Sequence, residues 1–71
     1  MLAIGLAVHD WVQIIKAEYA EMPGLLLTPS QMQRLWGLDA RTLDTVLSTL
    51  VRSGYLVRKS TGNYGRPSAG F

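Results

Sequence analysis

Between Thr28 and Gly54 the chain is punctuated more densely than anywhere else, and the punctuation fixes two short helices with a three-residue turn between them. Thr28 is an N-cap residue, Pro29 follows at the first helical position, where a missing N–H costs nothing, and Gln31 completes a capping box. A helix begun at Pro29 stops near Trp36, because Gly37 supplies the left-handed residue that closes a helix. Asp39 is then a fresh N-cap for a second helix, Ala40 to Ser53, which ends at Gly54. On it Leu43, Val46, Leu47, Leu50 and Val51 recur at helical spacing and predict a buried face. The other face reads Arg41, Thr42, Thr45, Ser48, Thr49 and Arg52, which are hydroxyls and guanidiniums with scarcely any apolar bulk.

The flanking segments follow from the same signals. Asp10 is expected to N-cap a first helix with Gln13 as its reciprocal partner, and Trp11, Val12, Ile15, Tyr19 and Met22 trace one face of it. Pro23 and Gly24 stop that helix, and Leu25, Leu26 and Leu27 are read as a short strand or extended linker. After the last helix, Gly54 to Lys59 reads as a strand, Ser60 to Asn63 as a turn, and Tyr64 to Arg66 as a return strand halted by Pro67. The expected fold class is mainly α with a small β-hairpin. Its limits are an apolar N-terminal arm at 1–9, one domain at 10–66 and a flexible C-terminal tail at 67–71. A chain of 71 residues has room for no second core.

Several classes of function lose their footing on composition. There is no cysteine, so disulfides and thiolate metal sites are excluded, and the single His9 does not assemble a zinc shell. His9 beside Asp10 lacks a nucleophile to complete a catalytic group, and Gly62 and Gly65 have no helix after them to hold a phosphate. No enzyme activity, cofactor, metal or small-molecule ligand is therefore expected. The apolar run at residues 2–8 is too short to span a membrane and has no basic residue before it, so a cytoplasmic, soluble protein is expected. Trp11, Trp36 and Tyr55 lie on apolar faces and read as core. Tyr64 either packs beneath the hairpin or stacks at its tip.

Charge is segregated along the chain. Residues 1–33 carry Lys16 against Asp10, Glu18 and Glu21, a net −2. Residues 34–71 carry Arg34, Arg41, Arg52, Arg58, Lys59 and Arg66 against Asp39 and Asp44, a net +4. A polyanion would be met by the second half.

The two helices around Gly37 resemble the helix-turn-helix motif. Apolar residues are expected five before, one before, one after, six after and nine after the turn glycine, and Met32, Trp36, Leu38, Leu43 and Val46 occupy all of these places. One position departs, Gln33, where a small residue is usual. The run Leu47, Leu50, Gly54, Tyr55, Leu56 and Arg58 further resembles the leucine-x-x-leucine-x-x-x-glycine-aromatic-leucine-x-arginine signature of bacterial winged-helix regulators, and Leu35 to Asp39 is similar to small bacterial winged-helix proteins. The resemblance spans about residues 10–66. It implies a three-helix winged helix-turn-helix domain that binds double-stranded DNA, most simply a transcriptional regulator, with helix 40–53 in the major groove and the hairpin on the backbone or minor groove.

Carried onto this chain, the resemblance assigns Arg41, Thr42 and Thr45 to base edges, with Ser48, Thr49 and Arg52 further along the groove. Arg41 suits guanine best, since a guanidinium donates two hydrogen bonds to O6 and N7. Asp44 either accepts from cytosine N4 or acts as a negative filter and partner for Arg41. Arg58, Lys59 and Arg66 either reach phosphates or serve as edge-strand charges that discourage aggregation. The alternative function is a winged-helix module that binds another protein and no DNA. The apolar start of the chain has little to cover it, which suggests a homodimer through residues 1–22.

Overall fold

The computed structural model describes residues 7–67. In chain order come α1 (Val8–Glu21), α2 (Pro29–Trp36), α3 (Ala40–Arg52), β1 (Val57–Arg58) and β2 (Tyr64–Gly65). The fold is thus mainly helical with a small antiparallel hairpin, as the sequence leads one to expect. Both capping signals around the turn form as read. The Thr28 hydroxyl accepts from the Gln31 amide at 3.2 Å while the Gln31 side chain accepts from the Thr28 amide at 2.9 Å. Gly37 stands at φ 66° and ψ 30°, a left-handed conformation that a Cβ would strain, and the chain turns there directly into the Asp39 cap.

The start of α1 corrects the sequence reading. Asp10 is not the N-cap. The cap is Ala7, and Asp10 lies within the first turn, where its carboxylate accepts from the Ala7 amide at 3.0 Å. A carboxylate at the third helical position satisfies an orphan amide as well as one at the cap does, so the signal was real and its register was off by three. Val8 accordingly leaves the expected arm and packs against the core. Met22, expected on the buried face, is half exposed because α1 has already ended at Glu21.

The core is built by all three helices and the residue entering the hairpin. Ile15 and Tyr19 of α1, Met32 of α2, Val46 and Leu50 of α3, and Leu56 are fully or almost fully buried. Each such side chain contributes about 1.5–3 kcal/mol relative to exposure. α3 packs on both α1 and α2, so its remaining side is left outward. Trp11, Trp36 and Tyr55 are only partly buried and close the rim of this core instead of filling it.

The hairpin strands are shorter than expected, two residues each, in the register Val57 opposite Gly65 and Arg58 opposite Tyr64. Lys59 N–H donates to the Asn63 carbonyl at 2.7 Å, leaving Ser60, Thr61 and Gly62 as the loop, with Gly62 at φ 91°. A three-residue loop closed by a left-handed residue is a favoured hairpin connection. The Leu25–Leu27 segment joins as a third edge, since Leu27 and Tyr64 exchange two backbone hydrogen bonds of 3.2 and 2.8 Å.

Candidate nucleic-acid interface

With Leu43, Val46, Leu47 and Leu50 turned inward, a period of 3.6 residues places Arg41, Thr45, Ser48 and Arg52 on the opposite side of α3. All four are exposed. They form one stripe about 16 Å long, with a guanidinium at each end and two hydroxyl residues between. Thr49 flanks the stripe on one side and Asp44 on the other, both exposed. Among the described residues Arg41 and Asp44 form no ion pair.

Thr42 is the member of this set that the structure draws inward. It is half-buried, and its amide donates to the Asp39 carboxylate at 3.1 Å. The Thr42 hydroxyl and amide together hold the Asp39 carboxyl below its ordinary range. Thr42 therefore serves the cap that starts α3, in the position where the sequence reading gave it a base edge.

Two threonines use their own helix. The Thr45 hydroxyl donates to the Arg41 carbonyl at 3.2 Å and the Thr49 hydroxyl to the Thr45 carbonyl at 2.9 Å. Such back-bonding commits the hydroxyl proton and leaves the oxygen lone pairs and the methyl group to the exterior.

The three hairpin cations separate into one that projects and two that turn back. Arg58 is exposed. Lys59 donates from its ammonium to the Arg66 carbonyl at 3.2 Å. Arg66 lies with its guanidinium 3.7 Å from the centre of the Tyr55 ring and donates to the Tyr55 carbonyl. Its placement is that of a clamp between the return strand and the end of α3, which speaks against the phosphate role assigned to it from sequence. Tyr55 is held from α1 as well, its hydroxyl donating to the Lys16 carbonyl at 3.0 Å and the Lys16 ammonium lying 5.1 Å from its ring.

A second pin fixes the hairpin relative to the helices. The Tyr19 hydroxyl, on a fully buried ring, donates to the Tyr64 carbonyl at 2.7 Å, and burial pushes its pKa up to about 12. Arg58 is thereby carried on a hairpin tied to α1 through Tyr19 and Tyr55.

Sequence reasoning missed one feature of the site. A shallow groove of about 320 Å³ runs between α3 and the hairpin, lined by Asp44, Leu47, Ser48, Val51, Arg52 and Tyr64. Of the two places open to Tyr64, the structure has it partly buried and packed against the core, facing α3 across this groove. Val51, expected in the core, is 41% exposed beside it. The signal was available, because Val51 lies about 90° around α3 from the centre of the buried arc.

Among the described residues no cluster of three or more histidine, cysteine or carboxylate side chains is placed to hold a metal, and no helix is long and apolar enough to cross a membrane. Residues 1–6, the greater part of the arm expected to dimerise, and residues 68–71 of the expected tail lie outside the described residues. No protein-family model, curated protein or solved structure matches the chain.

Proposed function

We propose that the chain is a winged helix-turn-helix module that binds double-stranded DNA in a sequence-dependent way, as a transcriptional regulator does. The observation that carries this reading is the outward stripe of Arg41, Thr45, Ser48 and Arg52 on a helix whose other side is locked into the core. A major groove about 12 Å wide admits a helix. Small hydroxyl side chains let the helix axis approach the base edges, and a protein-binding helix would present aromatic or aliphatic anchors there instead. Arg41, in the first turn, meets the base edges. Arg52 at the far end and Arg58 on the hairpin meet phosphates, and the Tyr55 and Tyr19 pins hold Arg58 at a fixed offset from α3.

A second reading, a protein-interaction module, draws on a different observation. Leu35 is 61% exposed, beside an apolar hollow lined by Leu27, Gln31 and Arg34. A homodimer through residues 1–22 belongs to the first reading, because two copies would set two recognition helices about 34 Å apart on successive turns of the duplex. Light scattering on the full chain and on a chain lacking residues 1–8 tests it; a monomer in both removes the dimer.

Fluorescence anisotropy of a labelled random-sequence duplex tests the main reading. With two or three phosphate contacts, log affinity should fall against log salt with a slope of about −2 to −3. Arg41→Ala should relax preference at one base pair while sparing most of the general affinity, and uniform weakening would move Arg41 to a phosphate. Absence of binding at low salt would overturn the reading and favour the protein-interaction module.

A further inference from the structure

The back-bonded threonines specify what the middle of α3 offers to a base pair. Thr45 is exposed and central in the outward stripe, one turn after Arg41. A threonine hydroxyl carries a single proton, and that of Thr45 goes to the Arg41 carbonyl at 3.2 Å. Its side chain is left with two things to present, an accepting oxygen and a methyl group.

In the major groove both kinds of pair show an amine donor, N4 of cytosine or N6 of adenine, so the accepting oxygen of Thr45 suits either and does not choose between them, whereas cytosine has no methyl. An A·T pair shows the N6 amine as a donor and, on the thymine, the 5-methyl group. For Thr45 the methyl group is what separates the two pairs. Arg41 has the opposite character, donors only, and suits guanine. The step of four positions from one to the other rises about 6 Å along the helix, close to two base-pair steps of about 3.4 Å. We infer that Thr45 is a specificity residue that reads the 5-methyl group of a thymine about two base pairs from the guanine met by Arg41. The inference rests on the DNA-binding reading above.

Thr49 is back-bonded in the same way, its hydroxyl donating to the Thr45 carbonyl at 2.9 Å, but it lies on the flank of the stripe and serves as the internal control. Ser48 has no methyl to offer. Thymine-methyl recognition therefore falls on Thr45.

The full chain is incubated with a random duplex pool and the enriched duplex is recovered. Each thymine is then replaced singly by deoxyuridine, which removes only the methyl, and affinity is measured by anisotropy. One position is expected to weaken by about fourfold, the worth of a buried methyl-sized group. Because the readout is the thymine-to-uracil ratio within each protein, a variant that binds less tightly overall still reports. Thr45→Ser should bring the ratio to one, while Thr45→Val and Thr49→Ser should keep it. A ratio of one at every thymine in the unaltered chain overturns the inference, as does a ratio that survives Thr45→Ser. Salt-dependent binding without any enriched sequence overturns the inference and the sequence dependence of the reading above, and leaves only general duplex binding standing. No binding of any duplex overturns both.

Discussion

Gly65→Ala tests how closely the return strand is packed against the segment leaving α1. Gly65 is buried and is not among the residues with positive φ, so its backbone accepts an L-residue and any penalty is steric. A Cβ built there would stand 2.5 Å from Leu26 Cδ2, 3.1 Å from the Leu25 carbonyl oxygen and 3.6 Å from Lys59 Cε. The first contact is with the end of a side chain that is 37% exposed and free to swing outward, losing the surface it covers. The second is with backbone and requires the edge formed by the Leu27–Tyr64 bridge to shift. Inserting a carbon into such packing costs about 1–3 kcal/mol, and the reduced freedom of the unfolded chain returns about 0.4–1 kcal/mol. The net loss is about 1–2 kcal/mol, a fall in Tm of roughly 5–15 °C for a domain of this size. Urea and thermal unfolding measure it. Gly24→Ala is the matched control, with nothing within 4 Å of its Cβ, and should be neutral or slightly stabilising. Adding Leu26→Ala to Gly65→Ala removes the shortest contact and isolates the backbone part. If Gly65→Ala alone is as stable as the parent chain, the close packing of the return strand against the Leu25–Leu27 segment is wrong.

Tyr19→Phe should cost about 1 kcal/mol, since the Tyr64 carbonyl keeps its bond from the Leu27 amide and is not orphaned. Raised from about 10 to about 12, the Tyr19 pKa means that the unfolded chain loses this proton first. Stability is full below pH about 10 and falls as pH rises from about 10 to about 12, and the fall should be shallower in Tyr19→Phe. Asp39 has the opposite sign: its contribution is present above the ordinary carboxylate range and is lost as pH falls through its depressed pKa, so Asp39→Asn should flatten the acid limb of stability while keeping a competent cap. Arg66→Ala should lower stability by about 1–2 kcal/mol and leave the salt slope of duplex binding unchanged, whereas Arg58→Ala should reduce that slope by about 0.9 with little change in stability. A reversed pattern would return the phosphate contact to Arg66.

Legibility of the fold tracks how local the cause is. Thr28, Pro29, Gln31, Gly37 and Asp39 act through bonds within a few residues, and α2, its turn and the start of α3 came out where those residues put them. Asp10 misled because a carboxylate satisfies helix-start amides from more than one position, and nothing local distinguishes the cap from the third residue. The exposed stripe on α3 was legible because a helical period is enough to separate it from Leu43, Val46, Leu47 and Leu50. What was not legible depends on distant partners. Arg66 folds onto Tyr55, eleven positions earlier, and Tyr19 reaches Tyr64, forty-five positions later, so neither role has a local signature. The extent of the hairpin was overestimated for a related reason: strand propensity marks where a strand is possible, and pairing decides how much of it forms.

Amide chemical shifts of the labelled full chain, followed as a random-sequence duplex is added at low salt, locate the contact surface residue by residue. Shifts concentrated at Arg41, Thr45, Ser48 and Arg52 and at Arg58 of the hairpin are expected, fading as salt is raised. Shifts confined to α1, or to the Leu27, Arg34 and Leu35 surface of α2, would contradict the assignment of α3 as the element that meets DNA.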